Sequence, residues 1–152
     1  MELKFLTNQD FSEYGLVLSI PNDNETKTDE LQYWRGISTC SMGRMTTGLL
    51  RVNPRKPVIN ELERHLETPE IVTILEGSGI MYFAKPCDTP EKSLSGFKVY
   101  QGDSFLMLPG TWHSLILPEN DKDVKLLILF KEGTEDLDLD IRQLSIPLKV
   151  AQ

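Results

Sequence analysis

Glu63, His65, Glu70 and His113 are the residues of this chain whose types and spacing could do chemistry. The sequence holds only two histidines, and both belong to this set. In an extended strand, residues two apart point to the same side, so Glu63 and His65 share a face opposite Arg64. Beyond the Thr68-Pro69 turn, Glu70 shares a face with Val72 and Ile74. After Pro109-Gly110, a further strand is expected to carry His113 on the same face as Leu115 and Leu117. If these faces all point inward, two imidazoles and two carboxylates meet at one end of an apolar barrel. Paired carboxylates in a low-dielectric pocket repel each other and are costly to desolvate. A divalent cation resolves that conflict by supplying counter-charge. Two nitrogens and two oxygens suit Mn, Fe, Ni or Zn without choosing among them. A plain structural reading stands beside this one, with the glutamates on a surface hairpin, Arg64 as their ion-pair partner and His113 packed behind Trp112. The joint spacing favours the metal, since Gly77, Gly102 and Gly110 fall where hairpin turns need them.

The elements that must position these groups read as strands. Nine prolines and ten glycines punctuate short apolar runs, the rhythm of an all-β chain. Strands are expected at 47–52, 60–65, 70–75, 79–84, 97–100, 105–108, 114–117 and 124–130. Eight such strands with Pro- and Gly-bearing turns imply a sandwich or jelly-roll barrel. Ahead of them, residues 7–14 form a helical turn capped by Thr7 and ended by Gly15, followed by a strand at 16–20. Residues 21–31 are polar and acidic and read as an exposed loop. Residues 86–96 form the longest break in the body and read as a surface excursion, and the acidic run 132–140 as a solvated tail strapped to the barrel by a few leucines. The expected organisation is one domain over 1–152, with an N-terminal part at 1–44, a barrel core at 45–131 and a C-terminal tail at 132–152.

Composition excludes some partners. A net charge of −7 argues against a nucleic-acid backbone and against an anionic membrane surface. Hydrophobic content of 39% and charge of 26% are ordinary for a globular protein. Cys40 and Cys87 are isolated and nothing requires them to pair. The first residues lack a long apolar segment and a cleavage site, so a cytoplasmic address is expected.

Glu63-x-His65-x4-Glu70-x6-Gly77 and Gly102-x7-Gly110-x2-His113 resemble the two-part signature of the cupin superfamily. The resemblance implies an all-β cupin-type jelly-roll barrel (a double-stranded β-helix) with a short N-terminal helix. A narrower likeness is visible in Leu49-Leu50-Arg51-Val52-Asn53-Pro54 with Leu62-Glu63-Arg64-His65, in Gly110-Thr111-Trp112-His113, and in the opening Leu6-Thr7-x3-Phe11-x2-Tyr14-Gly15. These segments resemble the ureidoglycolate lyase (ureidoglycolate hydrolase) family, in the same order along most of the chain. That family commonly has glutamine where this chain has Glu70, and residues 86–96 match nothing in its pattern. The likeness implies release of urea and glyoxylate from ureidoglycolate, a homodimer, and a divalent metal, usually nickel. Metal candidates are Glu63, His65, Glu70 and His113; proton-transfer candidates are Glu63, Glu70 and His113. The histidines are favoured as ligands, with one glutamate as proton carrier. For a small carboxylate substrate, Arg51 or Lys85 could supply the cation, and Tyr82 or Trp112 the pocket wall. Two other readings stay open: a different metal-dependent cupin enzyme, such as an isomerase or oxygenase of a small hydroxy or keto acid, and a non-catalytic metabolite-binding barrel.

Overall fold

The structure is a computed structural model and describes residues 2–19, 26–87 and 89–150. Its strands are β1 (Leu3–Phe5), β2 (Gly15–Val17), β3 (Thr26–Lys27), β4 (Gln32–Tyr33), β5 (Met45–Val52), β6 (Val58–Arg64) and β7 (Glu70–Glu76). They continue as β8 (Ser78–Ala84), β9 (Ser95–Tyr100), β10 (Ser104–Met107), β11 (Trp112–His113), β12 (Leu117–Pro118), β13 (Val124–Lys131) and β14 (Asp140–Lys149). Two four-residue helices, α1 (Asn8–Phe11) and α2 (Thr134–Leu137), flank the body. One sheet runs β1-β9-β8-β11-β6-β14, with β12 also on β8; the second runs β2-β10-β7-β13-β5. Successive strands cross between the sheets (β5 to β6, β6 to β7, β7 to β8, β9 to β10), which is the jelly-roll arrangement of a cupin-type barrel. A separate β3–β4 ribbon begins inside the segment expected to be a loop. The end of the expected strand 16–20 lies outside the described residues at Ile20.

Alternation fills the space between the sheets. Val72 and Ile74 of β7, Met81 and Phe83 of β8, Phe97 and Val99 of β9, Phe105 and Met107 of β10, and Val124 and Leu126 of β13 form one buried cluster. The N-terminal segment completes it. Thr7 caps α1 by accepting from the Asp10 amide, and the turn drives Phe11 fully into the barrel. Its ring lies 5.0 to 5.8 Å from those of Phe83, Phe105, Phe97 and Tyr14, edge-on to the three phenylalanines as aromatic quadrupoles prefer. Tyr14 follows it inward, and its hydroxyl and Ser95 Oγ are 2.9 Å apart. The middle of the barrel is thus solid, and any chemistry is confined to an end.

A second cluster lies on the outer face of the first sheet, where Leu62, Ile80, Tyr82, Ala84, Trp112 and Leu117 meet Leu94. Two expected solvent segments cover it. Residues 86–96 are a cover as well as an excursion, since Pro90 and Leu94 are buried and Glu91 pairs with Arg142 at 3.0 Å. The C-terminal segment is no solvated tail over its length. β14 adds to the edge of β6, and Leu144 and Leu148 pack on the cluster. Apolar residues at 144 and 148 satisfied that face, a pattern masked by the acidic residues just before them.

The expected strand 114–117 is also corrected. Against β8, His113 stands opposite Phe83 and Leu117 opposite Ile80. Four steps on one strand match three on the other, so one extra residue is inserted, and a β-bulge exchanges the two faces. Ile116 therefore joins the inner cluster, while Leu117 belongs to the outer one and Leu115 is 37% exposed. His113 does not share its face with Leu115 and Leu117. Ser114 fixes the bulge by bonding Tyr82 twice, its amide donating to the carbonyl and its hydroxyl accepting from the amide. Arg55 donates to the freed Leu115 carbonyl at 3.1 Å. Gly77, Gly102 and Gly110 all take positive φ, as their turns require. Cys40 and Cys87 are free and exposed. No helix among the described residues is long and apolar enough to cross a membrane.

Candidate metal centre

β6 and β11 are neighbours, with Glu63 directly opposite His113. His65 follows the end of β6 and receives the Gly110 amide on its carbonyl, so the turn before β11 is tied to the turn after β6. Glu70 opens β7 in the other sheet, opposite Met107. Nitrogen and carboxylate oxygen atoms of His65, Glu70 and His113 all lie within 4.8 Å of one another. Three groups from two sheets therefore converge at one end of the barrel.

Both ring orientations are set by the backbone. His65 Nδ1–H donates to the Asp138 carbonyl at 2.8 Å, and His113 Nδ1–H to the Thr111 carbonyl at 3.2 Å. Each imidazole thus presents Nε2 inward, the arrangement in which a second partner fixes the tautomer of a ligating histidine. His65 Nε2 lies 2.8 Å from Glu70 Oε2. His113 Nε2 is 3.2 Å from Glu63 Oε1 and 3.9 Å from Glu70 Oε2. The first oxygen is misaligned and the second too distant, so this buried nitrogen has no hydrogen-bond partner. A buried polar nitrogen without a partner is costly, and here it faces a carboxylate and a second imidazole. The residues fit a divalent cation bound by two neutral imidazoles and a carboxylate.

Charge follows the same geometry. Burial pushes His65 down, but its hydrogen bond to Glu70 and that carboxylate's charge outweigh burial and hold it at about 8. Burial likewise lowers His113, yet Glu63 and Glu70 leave it raised; with Nε2 unaligned, charge attraction rather than a formed hydrogen bond carries the rise. Burial raises Glu63, while His113 and His65 bring it below the ordinary carboxylate value. Without metal, a proton on His65 supplies the cation that Glu70 needs.

That gives a pH dependence with a definite sign. His65 ordinarily titrates near 6.5 and stands at about 8 in the folded protein. Its contribution to metal-free stability is therefore complete below about pH 6.5 and lost as pH rises through 8. The shift corresponds to about 2 kcal/mol. Metal must displace this proton, and any carried by His113, so affinity is expected to rise at least about tenfold per pH unit well below 8. Chemical unfolding of metal-free protein at pH 6 and 9, paired with metal titrations at pH 6 and 7, checks both; equal stability and pH-independent affinity would exclude the proton-for-metal exchange.

The other expected site residues are distributed differently. Glu63 is not one of the three converging groups: it touches His113 alone and its side chain is 39% exposed, against 4% for His113 and 8% for Glu70. It stands at the solvent side of the site. Trp112 and Tyr82 belong to the cluster on the opposite face of the sheet, because each adjoins an inward residue, His113 or Phe83, in its own strand. Trp112 stacks under Arg64, 4.1 Å from ring centroid to guanidinium carbon, and does not wall the site. Lys85 is exposed and paired with Glu13. Arg51 pairs with Asp123 at 2.6 Å, and its register through Lys125 leads to Glu76, six residues along β7 from Glu70, a separation of about 20 Å. Arg51 is thus remote from the metal ligands, and Lys85 is held by Glu13.

Sequence reasoning missed Asp138, which lay in the presumed tail, and Thr68 and Thr111, which line the crevice with Met107 and Leu108. The crevice among the ligands is narrow.

No protein-family model matches the chain, and no curated protein matches it. Among solved structures it is similar to oxalate decarboxylase from Bacillus subtilis. One such structure, at pH 4.6, matches with a TM-score of 0.49 and 21% identity, covering 66% of this chain and 24% of that one. Another, concerned with the Mn(II) centres of that enzyme, matches with a TM-score of 0.48 and 20% identity over the same shares, 66% and 24%. The chain spans about a quarter of the length of those proteins. The likeness is one of general strand arrangement, and the cupin-type fold stands on this chain's own sheet order and register.

Proposed function

We propose that the protein is a divalent-metal-dependent lyase of the ureidoglycolate lyase type, releasing urea and glyoxylate from ureidoglycolate. The observation that carries this reading is the convergence of His65, Glu70 and His113 beside a separate, solvent-facing Glu63. The sequence around them, Glu63-Arg64-His65 and Gly110-Thr111-Trp112-His113, supplies the substrate class by resemblance.

Ureidoglycolate carries a hydroxyl, a carboxylate and a urea nitrogen on one carbon. A metal held by His65, Glu70 and His113 would polarise the hydroxyl and carboxylate oxygens, with nickel the metal implied by resemblance. Glu63, whose carboxylate oxygen lies 3.2 Å from His113 Nε2, would accept the hydroxyl proton. The C–N bond then breaks, the oxygen becomes the aldehyde of glyoxylate, and the same proton passes to the departing urea nitrogen. One carboxylate suffices for both transfers, and no other reactant is consumed. A homodimer and a cytoplasmic address belong to the same reading; sedimentation of the purified protein checks the first.

The test is glyoxylate release from ureidoglycolate by nickel-loaded protein, expected well above the spontaneous rate. Release no faster than in buffer, with metal bound, would set this substrate aside. One observation favours a second reading, a different metal-dependent cupin enzyme on a small hydroxy or keto acid. Glu70 stands where glutamine is common in the resembled family, giving the site an anionic ligand. Turnover of such an acid, with oxygen uptake on Fe(II) loading, would favour it.

A further inference from the structure

Far along the chain from β6, 73 positions beyond His65, one residue gathers the turn that carries that histidine. Asp138 ends α2, its amide donating to the Thr134 carbonyl at 3.0 Å. Its Oδ1 accepts from the Leu66 amide at 2.8 Å and the Glu67 amide at 3.2 Å. Its Oδ2 accepts from the Glu67 amide at 3.0 Å and the Thr68 hydroxyl at 3.1 Å. Its main-chain carbonyl takes the proton of His65 Nδ1 at 2.8 Å. Every residue from His65 to Thr68 is thus bonded to Asp138.

The consequences for His65 are specific. A neutral imidazole that gives its Nδ1 proton to a carbonyl keeps its lone pair on Nε2, the atom facing Glu70 and His113. The backbone of the turn, held by the carboxylate, decides where that ring begins. The bonds from the two amides and the hydroxyl offset burial and lower the Asp138 carboxyl below its ordinary value, so the clamp is anionic at neutral pH. The next residues continue it: Asp140 pairs with Arg64 at 2.8 Å, which lies between Glu63 and His65.

We propose that Asp138 is a positioning residue, its carboxylate folding the 65–68 turn and its carbonyl selecting the His65 tautomer that can hold a metal. The proposal rests on the metal reading for its effect on affinity, and on the metal-free geometry for its effect on the ring. Loss of an outer partner of a ligating histidine typically weakens metal binding about 10- to 100-fold.

The experiment compares Asp138→Ala and Asp138→Asn with Glu135→Ala, a change on α2 outside the clamp. Cobalt(II) binding is followed by its visible absorption, and the His65 Nδ1 proton by NMR on metal-free protein. The expected result is cobalt affinity lower by about 10- to 100-fold in Asp138→Ala, intermediate in Asp138→Asn and unchanged in Glu135→Ala. In metal-free Asp138→Ala, the Nδ1 proton exchanges rapidly with water and its resonance broadens away. If Asp138→Ala does not fold, Asp138→Asn, which keeps an acceptor in place, decides by the same two readouts. An unchanged Nδ1 resonance together with cobalt affinity within twofold of the parent would overturn the proposal. Should the parent bind no cobalt, the metal reading fails, and an Nδ1 proton left unchanged in the variants would still refute the clamp.

Discussion

Glu63→Gln is expected to slow ureidoglycolate turnover by about 10²- to 10⁴-fold, the span of a lost general acid–base group, while the protein keeps its metal. The separation follows from geometry. His65, Glu70 and His113 approach one another within 4.8 Å, whereas Glu63 contacts the group only through His113, at 3.2 Å. Glutamine preserves the shape and a carbonyl oxygen but cannot take up the substrate's proton. His113→Ala provides the contrast: removing a ligand is expected to cost at least about 100-fold in metal affinity, more than loss of an outer partner. Metal content and kcat measured on the same preparations distinguish the roles. If Glu63→Gln emerges without metal, Glu63 is a ligand after all; if it turns over at the parental rate, the proton travels by another group.

The second large effect lies in the core. Phe11→Ala is expected to destabilise the fold by about 3 to 5 kcal/mol, as for other fully buried phenylalanines. Four aromatic rings surround Phe11 within 5.8 Å, and it comes from a helix of only four residues. So short a helix has little stability of its own, and Phe11 is its one buried side chain. Since whole domains are stable by only about 5 to 15 kcal/mol, the variant would lose a large share of its margin. Denaturant unfolding with an unchanged slope reads the loss directly. A change below about 1 kcal/mol would mean the aromatic cluster closes over the gap.

Much of the barrel is legible in the sequence because its strands obey a period of two between strong turn signals. β7 shows this best: Glu70, Val72 and Ile74 face inward as alternation requires. The meeting of His65, Glu70 and His113 is legible for the same reason. Alternation fails where one residue is inserted. Nothing in Ser114-Leu115-Ile116 announces a bulge, because three residues of mixed polarity fit either face until the register against β8 is known. The pocket-wall role of Tyr82 and Trp112 fails differently. Aromatic residues beside a ligand look like walls, but neighbours in a strand point apart. Asp138 was hidden by its company, since an aspartate among acidic residues reads as solvated until its four bonding partners, seventy residues earlier, are placed around it.

The two imidazoles are braced from opposite ends of the chain. The turn before His113 hangs on the Tyr14 carbonyl, which accepts from the Leu108 amide and the Thr111 hydroxyl, and the turn at His65 hangs on Asp138. Contacts so distant in sequence form late, after the loop-closure entropy of the intervening strands has been met. A chain still emerging from the ribosome, lacking residues beyond 134, would carry the brace of His113 but not that of His65. The His65 half of the centre therefore matures only once Asp138 is in place, and a bound ion would in turn resist local opening of the Tyr14 and Asp138 segments.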